Sequence, residues 1–152
     1  MAEKNRKNID GRKKIKELLP HRKPFIFIDD IIEFKKNKKI VATKHVKKGE
    51  YFLKGHFPGN PIMPGVLTTE AAVQTGLVFF RMSRSTLSKG RFEYYLLKNT
   101  SEFITPIYPG DTMVIEVTPI KILYDILMGH GVVRVRDRIA ANIDFIVAMK
   151  KK

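Results

Sequence analysis

Apolar residues recur at two spacings along the chain, and the switches between them mark the elements. After a polar stretch over residues 1–10, Ile15, Leu18 and Leu19 fall on one helical face. Asp10 stands where a cap would, and Pro20 ends the pattern. The Ile- and Phe-rich run 24–34 and the run 40–46 flank KKNKK, which predicts a hairpin turning at Asn37. Residues 55–65, GHFPGNPIMPG, hold three prolines and three glycines, too many for a regular element, so a structured loop is expected. From Val66 to about Met82 the chain has no proline and the spacing predicts a helix of four to five turns. Val66, Glu70, Val73 and Leu77 form one stripe of it. Ala71, Ala72, Gly76, Val78, Phe79 and Phe80 spread small or apolar surface over the rest, so the helix should be buried on most sides.

A Ser/Lys/Gly linker follows at 83–90, then strand-like runs at 92–103 and 112–122 around Tyr108-Pro109-Gly110-Asp111, a type II turn signature. The last two runs, 131–136 and 139–149, alternate. Val133 and Val135 oppose Arg134 and Arg136, while Ile143, Phe145, Val147 and Met149 share a face. One buried helix with five or six antiparallel strands predicts an α+β domain, the hotdog fold, with the antiparallel β-sheet wrapped around a long central helix. Residues 11–152 are expected to form this single domain, after a mobile basic tail over residues 1–10.

Length and composition narrow this further. A chain of 152 residues supports one core. With no cysteine, disulfides, thiolate metal sites and thiol nucleophiles are excluded, which fits a reducing compartment. The basic start has no apolar segment of signal-peptide type, and no run reaches the length of a membrane span, so a cytoplasmic protein is expected. The net charge of +14 is lopsided, crowded into the N-terminal third and the Lys150–Lys152 tail. It reads first as solvated faces, then as attraction to an acidic protein partner. Nucleic acid comes last, since no zinc spacing, recognition helix or aromatic RNA-binding signature accompanies it.

Two residues stand out chemically. Glu70 lies on a stripe where an apolar side chain is the default, and a carboxylate taken out of water tends to hold its proton and so serve as a general acid. Alone it could equally be a core residue bonded to a backbone amide. His56 sits in the Pro/Gly loop directly before the same helix, and an imidazole suits proton abstraction near neutral pH. Alone it could be a surface residue, the class to which His21, His45 and His130 are assigned.

Residues 55–74, GHFPGNPIMPGVLTTEAAVQ, closely resemble the signature of FabZ-type 3-hydroxyacyl-acyl carrier protein dehydratases. LLPHRKPFIFIDDI (18–31) resembles the family's opening segment and FITPIYPGD (103–111) its later strand and turn, so the similarity runs from about residue 14 to 149. The resemblance implies His56 as catalytic histidine and Glu70 as catalytic carboxylate. It further implies a homodimer, with the histidine of one subunit facing the carboxylate of the other, and a hexamer built as a trimer of dimers. The substrate is expected to be a 3-hydroxyacyl chain on acyl carrier protein, an acidic partner that the basic surface would steer, with Arg84, Lys89, Arg91 and Lys98 as candidate docking residues. Neither a cofactor nor a metal is expected. Related dehydratases that also isomerise the double bond carry Asp at the helix position, so Glu70 favours simple dehydration.

Within that reading, the N–H of Gly65 at the helix start would polarise the thioester carbonyl. Phe57, Ile62, Met63, Val66 and Tyr94 would line an acyl tunnel, and each could equally be ordinary packing. Gln74 would orient Glu70 or satisfy a strand edge. Thr68 and Thr69 depart from the family's apolar residues before the carboxylate, which bears on chain-length preference. A hotdog thioesterase, a divergent dehydratase/isomerase and a non-catalytic binding subunit remain the alternatives.

Overall fold

The computed structural model describes residues 10–84 and 89–152; the expected tail, apart from Asp10, and the middle of the expected linker lie outside them. Helix α1 (Gly11–Leu18) begins at Asp10, whose carboxylate accepts the Lys13 N–H at 3.3 Å, and buries Ile15 and Leu18. Strands β1 (Asp30–Lys35) and β2 (Lys39–His45) form the first hairpin, with Asn37 in the left-handed region at φ 59° as the turn requires. A short 3₁₀ turn (Tyr51–Leu53) leads into the Pro/Gly loop and helix α2 (Gly65–Ser83). Strands β3 (Phe92–Phe103), β4 (Thr112–Ile122), β5 (Ile126–Val135) and β6 (Arg138–Lys151) complete one antiparallel sheet in the order β1-β2-β4-β5-β6-β3.

The sheet curls around α2, the predicted hotdog arrangement. Fourteen of the 19 residues of α2 are buried, including consecutive Leu77, Val78, Phe79 and Phe80, so the helix faces protein on nearly every side. Each fully buried aliphatic or aromatic side chain of this kind contributes roughly 1.5–3 kcal/mol. The helix and sheet approach closely at Phe145 of β6, whose ring lies against Gly76 of α2 and Gly129 of β5. A Cβ at Gly76 would sit 2.4 Å from that ring, and one at Gly129 2.5 Å.

Three elements differ from the sequence-based expectation. The first strand begins at Asp30, not residue 24, because the backbone of Phe25 and Phe27 bonds to the Gln74 side chain and not to a neighbouring strand. Strand β5 begins at Ile126, earlier than residue 131, since Ile126–His130 pair with β6 despite a weak local pattern. Val66 leaves the apolar stripe: at the mouth of the helix it is 75% exposed. The Tyr108–Asp111 turn is as expected, with Gly110 at φ 96° and the Asp111 N–H bonded to the Tyr108 carbonyl at 3.0 Å.

Candidate active site

The Pro/Gly loop is held by its own backbone. The Phe57 and Asn60 peptide groups bond each other reciprocally at 3.1 and 2.9 Å, and the Ile62 N–H donates to the His56 carbonyl at 2.8 Å. The His56 ring then lies with Nδ1 2.8 Å from the carbonyl oxygen of Ile62. A carbonyl only accepts, so in the neutral ring this contact places the proton on Nδ1 and the lone pair on Nε2, the form a general base needs.

His56 opens onto an apolar cavity of about 340 Å³ between the loop, the first turn of α2 and the segment after β3. Ile62, Met63, Gly65 and Thr68 line one side, and Phe103 and Ile107 face them. The Phe103 ring lies so close to Gly65 that a Cβ there would be 3.0 Å from it, so glycine lets the start of the helix border the cavity. By position, the Gly65 N–H has no intrahelical acceptor and sits at the positive end of the helix dipole.

Glu70 does not line this cavity. Two residues past Thr68, it points some 200° further around the helix. Its side chain is 20% exposed and has two neighbours: Gln74, whose Nε2 donates to Glu70 Oε1 at 3.0 Å, and His21, whose Nε2 lies 3.7 Å from the same oxygen. Burial pushes the Glu70 carboxyl above its ordinary range, and the Gln74 hydrogen bond pulls it partway back. His21 is shifted the other way, downward, by burial first and the Arg22 charge second. Both shifts favour uncharged groups, so the 3.7 Å contact is neither a strong ion pair nor, at that length, a hydrogen bond.

Gln74 is completely buried, and its partners outside the helix lie before β1, not on the strand edge expected of it. Besides Glu70, it bonds the Phe25 carbonyl at 3.1 Å and the Phe27 N–H at 2.9 Å, locking the carboxyl to the segment that carries His21. Tyr94 stacks on His21 with ring centroids 6.4 Å apart and donates its hydroxyl to the Leu18 carbonyl at 3.0 Å. The single chain thus holds the expected residues in two separate groups. One has His56, Gly65, Ile62 and Met63; the other has Glu70, Gln74 and Tyr94. Phe57 is 51% exposed and stacks on His56 outside the cavity lining, and Val66 likewise does not line it, so neither forms a wall within one chain.

His21, expected as a surface or packing residue, does pack, stacked on Phe25 and Tyr94, and it also stands beside Glu70. No local pattern signals it, because it meets Glu70 across 49 positions of sequence through a turn that Gln74 organises. Phe103 was quoted only as part of a similar segment, and its place opposite Gly65 follows from tertiary packing.

Comparison with known proteins gives the family. A FabA-like domain matches residues 19–144. The chain belongs to the FabA-like family. Among family members, it is 39% identical to the 3-hydroxyacyl-acyl-carrier-protein dehydratase FabZ of Sodalis glossinidius over 139 residues, 91% of each chain. It is also 39% identical to the FabZ of Blochmanniella floridana over 137 residues, 90% of each. Among solved structures, the dehydratase heterocomplex ApeI:P from Xenorhabdus doucetiae superposes with a TM-score of 0.77 at 13% identity, over 91% of both chains. A thioesterase from Haemophilus influenzae gives 0.61 at 15% identity over 80% of this chain and 78% of that one. At such identities these two carry the fold alone.

Proposed function

We propose that this protein dehydrates (3R)-hydroxyacyl-acyl carrier protein to the trans-2-enoyl thioester in type II fatty-acid synthesis, as a cytoplasmic enzyme whose residues 11–152 act as one domain. The observation that carries the reading is His56, held by its Nδ1 contact with the Ile62 carbonyl at an apolar cavity bordered by a helix N-terminus. His56 Nε2 takes the proton from the carbon next to the thioester carbonyl, and the Gly65 N–H stabilises the enolate oxygen that forms. Protonated Glu70, oriented by Gln74, gives its proton to the departing hydroxyl. The enolate reopens to the double bond as water leaves. The cavity of His56 receives the acyl chain.

Because His56 and Glu70 face different sides of α2, the pair is completed by a second copy: His56 of one subunit meets Glu70 of the other. Edge strand β3 supports this. Among the described residues it stands last in the sheet order, pairs with β6 alone, and exposes Tyr95, Leu96 and Leu97. Pairing β3 with its counterpart makes a homodimer, and three dimers make the hexamer. In that assembly Phe57 and Val66, exposed in one chain, wall the joined site together with Tyr94.

Hydration of a trans-2-enoyl acyl carrier protein, followed by loss of enoyl absorbance, tests the reading. His56→Ala and Glu70→Gln are each expected to slow it by roughly 10²- to 10⁴-fold. No hydration by the parent protein, or thioester cleavage that survives loss of His56, would overturn it in favour of a binding subunit or a thioesterase.

A further inference from the structure

The β4–β5 hairpin carries apolar side chains out to its tip. Ile120 is 62% exposed, Leu123 is exposed, and Tyr124 at the apex is 95% exposed. Strand pairing fixes what surrounds them. In the sheet, β2 neighbours β4 and β6 neighbours β5, about 5 Å away on either side. Ile40 pairs with Val117, which sets the β1–β2 turn, with exposed Lys36 and Lys38, level with Ile120. On the other flank Ala148 pairs with Ile126, and the Met149 N–H donates to the Asp125 carbonyl at 2.8 Å, which brings exposed Lys150 and Lys151 beside the apex. Lys121 is exposed within the hairpin itself. Of the acidic groups at this end, Glu33 is paired with Lys35 at 3.5 Å and Lys39 at 3.3 Å, and Glu93 with Lys152 at 3.1 Å, while Asp125 lies in the turn.

An apolar apex is unfavourable in water unless something covers it. A folded acidic protein would meet the lysines but would need a pocket for the protruding Tyr124. The surface of an anionic bilayer meets both, because its phosphates face the lysines and its acyl boundary takes the apex. Tyrosine suits that boundary, having an apolar ring and a polar hydroxyl. We propose that this end of the sheet docks the protein on an anionic phospholipid membrane, with Leu123 and Tyr124 entering the headgroup region and the flanking lysines set against lipid phosphates. The cavity of His56 stays free. Phe103, at the far end of β3, and Ala140, near the start of β6, place it at the opposite end of the strands.

Co-sedimentation of the full-length protein with lipid vesicles tests the docking without any turnover. Phosphatidylcholine vesicles carrying about a third phosphatidylglycerol are expected to bind it about tenfold more tightly than phosphatidylcholine alone, and Leu123→Ser/Tyr124→Ser to weaken that binding about tenfold. Both positions are exposed and lie outside the strands, so the melting temperature should not change. The chain contains no tryptophan, so Tyr124→Trp supplies a single reporter whose emission should shift to the blue on the anionic vesicles. Equal binding to the two vesicles, anionic binding unmoved by the double variant, or an unshifted emission would each overturn the proposal. So would an emission already blue without vesicles, together with a smaller assembly of the double variant in analytical ultracentrifugation, which would assign the apex to a second copy of the chain.

Discussion

A carboxyl group facing His21 and Gln74 on a mostly buried helix is costly to ionise, and the cost has a definite pH dependence. Burial raises the Glu70 pKa in the folded protein above its value in the unfolded chain, so folding favours the protonated form. That stabilisation is complete below the unfolded value and is lost as pH rises through the folded one. Glu70→Gln, uncharged at every pH, is expected to melt at a higher temperature than the parent at neutral pH and above. The gap should close as pH falls below the carboxylate range. Thermal melts from about pH 8 to about pH 4 check this, and a gap independent of pH would contradict a carboxyl destabilised in its charged form. Glu70 stood out in the sequence as a carboxylate on an apolar helical stripe, while His56 drew notice by its place in the loop before the same helix and by the family resemblance. The His56 tautomer was not legible, since it depends on a carbonyl six residues away whose orientation only the folded loop fixes.

Among the elements, α2 was readable because small and apolar residues cover most of its circumference. The start of β1 was not, because Gln74 supplies the hydrogen bonds that a strand would otherwise provide to Phe25 and Phe27. The β5–β6 hairpin shows a similar conflict. Arg136 and Asp137 occupy left-handed positions at φ 51° and 59°, where glycine or asparagine is the usual choice. The Arg136 side chain explains its presence: it pairs with Asp111 at 3.1 Å, donates to the Pro106 carbonyl at 2.8 Å and lies over Tyr108. It thereby ties the hairpin to the segment that borders the cavity of His56. Asp137 shows no comparable bond among the described residues. Asp137→Gly is expected to raise the melting temperature by roughly 1–2 °C. Arg136→Gly relieves the same strain but should lower it. Calorimetric melting of the two variants checks the sign of each, and two increases would mean that the Arg136 contacts contribute little.

At the scale of the whole molecule, the charge of +14 was visible from composition, but its focus into a cavity behind Tyr94 was not. Lys16, Arg22, Arg81, Arg91 and Lys152 are scattered over the chain and converge only when α1 packs beside the end of α2 and β3. The division of the site into two halves was likewise invisible to spacing alone, and reached the sequence reading only through family resemblance. Physically it follows from the helix: Gly65 and Thr68 line the cavity of His56 while Glu70 faces His21. Activity therefore depends on two copies sharing one acid/base pair. Co-expressing His56→Ala and Glu70→Gln chains tests this directly, because a site built from two subunits is intact only when each chain contributes its unmutated member. Random pairing of equal amounts is expected to restore about a quarter of the parent hydration rate, from two variants each nearly inactive alone. A mixture no more active than its components would contradict the shared site.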